Sequence, residues 1–333
     1  MKTLCQGWYA SLAINMSREG ANVDIEPLKP SIRARKKATR FARKEYLAGY
    51  LFTLPAILGL LVWTIGPIIA SLVLSFTDYQ VIAETINWIA FDNYITIFTE
   101  DLYFKQALIV TLYFAFASTA ATLVAALLIA LLMNMKVKGQ GLWRTLFYLP
   151  VLVPAVAANI LWMWLFNPEF GLLNGILRFF GLPASMWIYD EASVIPSLIL
   201  LSIWGCGGAA LIFLAGLQEI PKDQLEAVEL DGGNAWHQFR FVTLPAISPI
   251  IFFNLIMGLI GAFQTFNQAY IMTEGGPNNA SLFYVYLIYR EAFVHSNMGY
   301  ASALAWILFL VVSLFTVLIF KWGKGWVFYG GGK

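Results

Sequence analysis

Six long apolar segments constrain the fold of this chain more than any other feature of its sequence. They lie at about 46–76, 107–134, 146–166, 194–216, 246–272 and 301–320. Each reaches the roughly 20 residues that a helix needs to cross the hydrocarbon core of a bilayer. Backbone groups in lipid must be hydrogen bonded within the protein, and the sequence lacks the period-two alternation of a membrane barrel. We therefore predict an all-α integral membrane protein with six transmembrane helices.

Composition excludes a soluble globular protein of this size. Hydrophobic residues make up 59% of the 333 residues and charged residues only 12%, whereas soluble domains carry roughly 25% charged residues. The two cysteines are Cys5, in the polar N-terminal region, and Cys206, inside an apolar segment. We expect no disulfide, because these two positions are not expected to meet.

The distribution of lysine and arginine predicts the orientation of the helices. Ten lie in the N-terminal tail, three at 135–145, two at 217–245 and three in the C-terminal tail, against one in each of the other three loops. The positive-inside rule then places both termini in the cytoplasm.

Three regions follow from this orientation: a basic cytoplasmic tail (1–45), a transmembrane domain (46–325) and a short cytoplasmic tail (326–333). The basic run at 29–46 is interpreted as a topology anchor beside the first span, so no nucleic-acid partner is predicted. Met16 is an alternative start of the chain.

The stretch between the fourth and fifth apolar segments is too polar to cross a bilayer but has helical patterning. It reads KDQLEAVELDGGNAWHQFRFVTLPAISP over 222–249. The double glycine at 232–233 ends a first short helix, because glycine tolerates a left-handed backbone. Asn234 is the expected N-cap of a second helix, 235–242, and prolines end the module. The apolar residues at helical spacing are Leu225, Val228, Ala235, Phe239 and Val242.

This helix–turn–helix therefore has an apolar side that must be covered. Lipid headgroups could cover it, as they do for interfacial helices. However, interfacial helices favour Lys and Arg, and the first half of this stretch is acidic. A protein partner fits the pattern better.

The same stretch resembles the signature of the permease subunits of binding-protein-dependent ABC importers. That signature is Glu-Ala-Ala, three residues, Gly, nine residues, an aliphatic residue, any residue, and Leu-Pro. Here Glu226-Ala227-Val228 is followed at matching spacing by Gly232, Val242 and Leu244-Pro245. Other stretches resemble the carbohydrate-type permeases, a group that includes the maltose and glycerol-phosphate permeases. Three of them are RTLFYLPVLVPAVAANILWMWLFNPEFGLLNGILRFFGL (144–182), FNQAYIMTEGGPNNAS (266–281) and YLIYREAFVHSNMGYASALAWIL (286–308).

The resemblance covers about 46–325 and implies a coupling element at 218–245. This element would sit in a groove of a cytoplasmic ATPase subunit, and closure of the ATPase dimer would push on it and rock the spans. Glu226 would contact a basic residue of the ATPase, and Gly232 would permit the turn. The residues expected to carry the coupling are Glu226, Ala227, Asp231, Gly232, Phe239, Leu244 and Pro245.

The resemblance also implies the other partners and the place of action. We expect a second permease subunit, a cytoplasmic ATPase dimer and an extracytoplasmic sugar-binding protein. A sugar or oligosaccharide would enter a prokaryotic cell through its plasma membrane by alternating access.

A sugar path needs hydrogen-bonding groups and aromatic faces inside a cavity. In the maltose-type relatives the fourth and fifth spans face the central cavity, and polar and aromatic residues cluster near the end of the fifth. The candidate path residues are Gly205, Cys206, Ala209, Gly258, Gly261, Phe263, Gln264, Thr265 and Asn267. Small residues equally suit close helix packing in a membrane, so both interpretations stay open.

The sequence contains no recognisable nucleotide-binding or catalytic motif. It contains no GxxxxGK[ST], HExxH or GxSxG motif and no acidic residue at the centre of a span. We therefore predict a non-catalytic subunit without catalytic or metal-binding residues and without a cofactor, with ATP and Mg bound by the partner ATPase. The alternative cargo is glycerol phosphate, which would favour basic residues near the path. An intramembrane enzyme or a channel is a further alternative, but neither explains the signature.

Overall fold

The computed structural model describes residues 46, 48–83, 85–135 and 138–328. The predictions for the N-terminal tail, including Cys5, Met16 and the basic run up to residue 45, lie outside the described residues. The same holds for the last five residues. The described residues fall into two units, which divide between Pro67 and Ile68.

Every regular element in the described ranges is helical, apart from an isolated antiparallel bridge between Thr77 and Trp88. In chain order the helices are α1 (Ala48–Leu74), α2 (Asp92–Thr99), α3 (Leu102–Asn134), α4 (Gln140–Leu152), α5 (Ala155–Leu165), α6 (Leu172–Phe179), α7 (Val194–Trp204), α8 (Gly207–Gln218), α9 (Lys222–Leu230), α10 (Ala235–Ala246), α11 (Ser248–Phe263), α12 (Tyr284–Tyr289) and α13 (Met298–Gly323). Helices α1, α3 and α13 are each long and apolar enough to cross a membrane. Three bent pairs, α4–α5, α7–α8 and α10–α11, raise that number to as many as six if each pair is one span. The all-α prediction is therefore confirmed for the described residues.

The predicted span at 146–166 is not one helix. Helices α4 and α5 meet at a bend of 100°. Pro154 has no backbone N–H to continue the helix, and Val153 before it adopts an extended backbone, with φ −76° and ψ 127°, because the residue before proline is disfavoured in helical conformation.

The predicted span at 194–216 is also interrupted, by a bend of 47° between α7 and α8. The break falls at Gly205 and Cys206. The Cys206 N–H donates to the carbonyl of Ile203, three residues back, at 3.1 Å. Glycine lowers helix propensity by about 1 kcal/mol relative to alanine, so this glycine-rich stretch is the weak point of the segment.

The fifth predicted span, 246–272, differs at both ends. The second helix of the hairpin was expected to end at 242. Instead α10 continues to Ala246 through a π-turn at Phe239–Thr243, and the chain then bends by 62° into α11. The π-turn lies just before Pro245, which cannot donate a helical hydrogen bond. At its other end α11 stops at Phe263, and a π-turn at Ala269–Thr273 follows an irregular stretch.

Helix α3 runs through the core of the larger unit. It contacts α7, α8, α11 and α12, and it contributes residues to all three buried apolar clusters. Phe104 lies in the first cluster, Phe114 in the second, and Ala126 and Ala130 in the third. The small alanines let neighbouring helices approach closely, which is how helices associate where lipid removes the hydrophobic driving force.

Two polar contacts join α3 to the far end of the chain. The Tyr284 N–H donates to Thr111 Oγ1 at 2.8 Å. The Tyr300 hydroxyl donates to Asp101 Oδ2 at 2.6 Å, while Asp101 Oδ1 caps α3 by accepting from the Tyr103 N–H at 2.8 Å. The start of α3 is therefore held by residues nearly 200 positions later in the chain.

Two adjacent glycines of α8 provide a matched test of this packing. A Cβ at Gly207 would collide with the carbonyl oxygen of Phe147 on α4, whereas a Cβ at Gly208 would have no atom within 4 Å. We expect Gly207→Ala to lower the free energy of unfolding by about 1–3 kcal/mol, the usual cost of overpacking.

Gly208→Ala should leave stability unchanged or raise it slightly. Thermal unfolding of the two variants in the same detergent measures the difference. Equal melting temperatures would contradict the α4–α8 contact.

Candidate functional site

Helices α9 and α10 form a hairpin that connects α8 to α11. Its turn satisfies the end of α9 with two backbone hydrogen bonds, from the Gly233 N–H to the Val228 carbonyl at 2.8 Å and from the Gly232 N–H to the Glu229 carbonyl at 2.9 Å. This pair of bonds is a Schellman motif, which needs a left-handed residue at its centre. Gly232 provides it, with φ +81°, as predicted.

Gly233 is needed for a different reason, which the sequence did not reveal. A Cβ at this position would lie 2.5 Å from Val228 Cγ1 and 2.8 Å from the Val228 carbonyl oxygen. The two glycines therefore have different roles. Gly232 allows the left-handed backbone conformation of the turn, and Gly233 leaves space for the side chain and carbonyl of Val228.

The second helix of the hairpin starts at Asn234, as predicted. Its side-chain oxygen accepts from the N–H groups of Trp236 and His237, both at 3.1 Å, and the His237 ring completes a capping box. Across the hairpin, Gln238 Nε2 donates to the Leu225 carbonyl at 3.2 Å and to Glu229 Oε1 at 2.8 Å. These bonds fix the two helices to each other.

The apolar surface of the hairpin differs from the predicted one. Most of the residues expected to face a partner are half-buried, because the two short helices pack against each other; these are Leu225, Val228, Phe239 and Val242. The side chains that project are Leu230, 89% exposed, Phe241, 68% exposed, and Trp236, 65% exposed. Sequence spacing assigned residues to helix faces but could not show which face the hairpin would close upon.

The residues predicted to couple the chain to an ATPase fall into two groups. Glu226, Ala227, Asp231 and Gly232 are exposed on α9 and the turn. Leu244 and Pro245 are half-buried and line a 320 Å³ pocket together with Arg240 and Trp326, among others. Phe239 is half-buried beside Trp236, with 5.7 Å between ring centroids.

The base of the hairpin is tightly packed. Gly216 of α8 has no room for a side chain, because a Cβ there would overlap Ile250 of α11. Ser248 Oγ donates to the Pro245 carbonyl at 2.7 Å and accepts from the Phe328 N–H at 2.8 Å. The hairpin is therefore attached to α8, α11 and the end of the chain at one point.

A cavity of about 300 Å³ lies between α3, α11 and the α7–α8 bend; we call it the central cavity. It is lined by Phe114, Ser118, Thr119, Thr122, Leu123, Ser202, Ala209, Asn254, Met257, Gly258, Gly261, Ala262 and Thr265. None of these described lining residues carries a charge. The cavity has the size of a small ligand site, and its walls mix apolar surface with hydroxyl and amide groups.

Four of the nine predicted path residues line the central cavity: Ala209, Gly258, Gly261 and Thr265. Gly258 and Gly261 are three residues apart and share one side of α11, and Thr265 lies in the irregular stretch that follows this helix. The glycines contribute space rather than contacts, since a Cβ at Gly261 would have no atom within 4 Å.

The other five predicted path residues do not line this cavity. Phe263 is 1% exposed and stacks on Phe315 at 5.7 Å between ring centroids, and Cys206 is 3% exposed inside an apolar cluster. Gly205, Gln264 and Asn267 are exposed outside its wall. Packing turns both side chains into apolar clusters, away from the central cavity, and a role for either of them in a path stays a prediction.

Helix α3 supplies a wall of the cavity that the sequence analysis did not include. Ser118, Thr119 and Thr122 come from it, and Asn254 from α11 faces the same space. The available signal was three hydroxyl residues within five positions of a long apolar helix. Hydroxyls in membrane helices serve equally to join helices, so the pattern alone was ambiguous.

Comparison with known proteins identifies the family of this chain. Residues 122–323 match the family described as "Binding-protein-dependent transport system inner membrane component". The chain belongs to this family. The matched range includes the hairpin, α11 and most of the residues that line the central cavity.

Two relatives in this permease family come from Bacillus subtilis (strain 168). The "Probable ABC transporter permease protein YesP" is 43% identical over 88% of this chain and 96% of its own length. The "Arabinooligosaccharides transport system permease protein AraP" is 30% identical over 82% of this chain and 88% of its own length.

A solved structure shares the fold. It is the crystal structure of a bacterial ABC transporter involved in the import of the acidic polysaccharide alginate, with a TM-score of 0.75 and 22% identity over 86% of this chain and 98% of that chain. The likeness shows a shared fold, and the family match makes the chain a membrane component of the binding-protein-dependent transport class.

The turn of the hairpin yields a direct prediction for this permease. Gly232→Ala places a Cβ on a left-handed residue, which costs about 1–2 kcal/mol. Gly232→Asn should cost less, because asparagine tolerates this conformation. Amide hydrogen exchange of α9 and α10 in the full chain should be several-fold faster in the alanine variant than in the asparagine variant. Wild-type exchange rates in both would show that the turn does not hold the hairpin.

Proposed function

We propose that this chain is a transmembrane permease subunit of an ATP-driven ABC importer that moves a sugar or oligosaccharide into the cytoplasm. It would act with a second permease subunit, two cytoplasmic ATPase subunits and an extracytoplasmic binding protein. Membership of a binding-protein-dependent transport family supports the last partner. The ATPase subunits would bind ATP and Mg and carry out hydrolysis.

The hairpin is the single observation that carries this proposal. Leu230, Trp236 and Phe241 project from it with most of their surface exposed, although burial of each would be favourable by roughly 1.5–3 kcal/mol. The acidic residues Glu226 and Asp231 are exposed on the same hairpin. A hairpin that exposes both apolar and acidic side chains suits a groove on a protein that has basic residues at its rim. We assign that groove to the ATPase, with the termini of this chain on the same, cytoplasmic side.

The connections of the hairpin support a mechanism of alternating access. The hairpin continues directly into α8 and α11, and these two helices provide Ala209, Gly258 and Gly261 to the central cavity. Close packing of Gly216 against Ile250 keeps the base of the hairpin rigid. A displacement of the hairpin by the ATPase would therefore move two walls of the cavity together, as expected for rigid-body gating around a fixed site.

A neutral cargo suits the cavity better than a phosphate. Ser118, Ser202 and Asn254, which carry hydroxyl and amide groups, line it, and the lining residues in the described ranges include no lysine or arginine. A phosphate ester would call for a lysine or arginine among the lining residues, because these side chains form the strong charge-assisted hydrogen bonds to phosphate. Relatives that are each 30% identical are named for arabinooligosaccharide and for sn-glycerol-3-phosphate transport, so the preference for a neutral cargo rests on the uncharged lining.

Charge reversal at Glu226 tests the coupling. We expect Glu226→Lys to reduce sugar-stimulated ATPase activity of the reconstituted four-subunit complex with its binding protein by at least tenfold. The physical reason is repulsion between the new lysine and the basic rim of the ATPase groove, since like charges at an interface disfavour association by several kcal/mol, or roughly 100-fold and more.

Glu169→Lys is the matched control, because it makes the same charge change at an exposed position between α5 and α6, outside the coupling element at 218–245. It should keep most of the activity. Normal stimulation and uptake in the Glu226→Lys complex would remove the hairpin from the coupling mechanism.

A further inference from the structure

A second space in the bundle lies between α3, α8, α11 and the end of α13; we call it the apolar groove. It has a volume of about 650 Å³, and among its described lining residues only Thr119 is neither aliphatic nor aromatic. Its edge is open, because the lining side chains of Val124 and Trp322 are exposed. The chain is a membrane component, so an open apolar space on its long helices faces lipid or another subunit.

The apolar groove has the length of one bilayer leaflet. It follows α3 from Phe116 to Leu127, which is about 16 Å at the helical rise per residue. Half of a hydrocarbon core of roughly 30 Å is about 15 Å. Phe116 lies near the middle of α3, where its ring packs on Phe315 at 5.2 Å between centroids and closes the groove. The other end lies on the side of the hairpin, where Ala130 of α3 and Ile247 belong to one apolar cluster.

At the hairpin end the apolar groove adjoins the 320 Å³ pocket at the base of the hairpin. The two spaces share Ile251 and Trp326 as lining residues. Arg240 lines the pocket, is exposed and makes no ion pair with a described residue, and the described lining of either space contains no acidic residue. Lys321 and Lys324 are exposed at the same end of α13. A cation therefore lies where an apolar groove opens, which is complementary to an anionic headgroup attached to an apolar tail.

The corner between the two spaces is held in place by close packing. Gly323 has no room for a side chain, because a Cβ there would overlap the ring of Phe252 on α11. The Trp326 ring packs 6.1 Å from that of Phe252 and 5.6 Å from that of Trp322, between centroids. Tryptophan is enriched at the level of the lipid headgroups. The corner therefore has the rigidity and the residue type of a site at the membrane surface.

We propose that the apolar groove binds an acyl chain of one anionic phospholipid, from the leaflet on the side of the hairpin, with the phosphate of that lipid at Arg240. Arginine forms strong charge-assisted hydrogen bonds to phosphate, and basic residues next to membrane helices recognise anionic lipids. The bound lipid would contact α3, α11 and the base of the hairpin together. This inference goes beyond the proposed function and does not depend on the cargo.

The headgroup is tested on the purified full chain in an uncharged detergent. An equal mixture of phosphatidylglycerol and phosphatidylcholine with the same acyl chains is added, and native mass spectrometry measures which lipid is retained first. We expect phosphatidylglycerol to be preferred about fivefold, the effect of one cation near a lipid surface. Arg240→Gln should remove the preference, and Arg178→Gln, at an exposed arginine of α6, should keep it. Equal retention of both lipids by the wild type, or an unchanged preference in Arg240→Gln, would overturn the proposal.

The acyl chain is tested by filling the groove. Ala120 is an exposed lining residue of α3, so Ala120→Leu should fold but occupy the space of the lipid tail. We expect retention of both lipids to fall several-fold, whereas Ala157→Leu, at an exposed alanine of α5 that does not line the groove, should retain them as the wild type does. Equal melting temperatures show that both variants are folded. Undiminished retention in Ala120→Leu, or displacement of phosphatidylglycerol by an excess of soluble glycerol phosphate, would contradict a lipid site.

The assembled transporter distinguishes the lipid from the other occupant of such a groove, a second permease subunit. Native mass spectrometry of the complex should show the same phosphatidylglycerol retained, and lost in its Arg240→Gln variant. A lipid that binds the separate chain but is expelled on assembly would assign the groove to the subunit interface. That result would overturn the lipid site and leave the proposed function intact.

Discussion

The packing of α3 against α7, α8 and α11 is the contact on which the rest of the larger unit depends. All three buried apolar clusters include residues of α3, and small residues such as Ala126 and Ala130 make the close approach possible. In lipid, helices gain little from hiding apolar surface from water, so shape and paired polar groups hold them together. The same helix lines the central cavity, and its packing therefore determines both the stability of the bundle and the size of the space within it.

The cavity lies where two of the packed segments are irregular. Helices α7 and α8 separate at Gly205 and Cys206, and the segment that begins with α11 loses its helical bonding after Phe263. Backbone of this kind is tolerated at membrane depth only where it is covered by protein or lines a cavity. Broken helices beside a midplane site are a recurrent feature of transporters, because half-helices can tilt independently. The hairpin joins α8 to α11, and the cavity-lining residues Ala209, Asn254, Gly258 and Gly261 lie along the chain between the hairpin and these irregular points.

Much of this arrangement could be predicted from the sequence, because it depends on local chemistry. Apolar length indicated the long helices, and the left-handed Gly232 and the cap Asn234 followed from residue type alone. Residue type also predicts a kink at Pro154, since the residue before a proline is disfavoured in a helix, but it does not predict a bend as large as 100°. The direction in which each side chain points could not be predicted. Phe263 is as suitable for stacking on a sugar as for packing on Phe315, and only the fold determines which contact it makes. Thr119 was missed for the same reason.

The bond between Asp101 and Tyr300 also affects how the chain is made. These two residues are 199 positions apart. Thr111 likewise accepts a hydrogen bond from the N–H of Tyr284, which lies 173 positions later in the chain. During synthesis, α3 enters the membrane long before α12 and α13 leave the ribosome. Its polar groups must meanwhile be satisfied by water, lipid headgroups or a cellular insertion factor. Contacts of such large sequence separation form slowly, so the permease completes its core only at the end of translation. Quality control in the membrane thus has a long interval in which to recognise an unfinished chain.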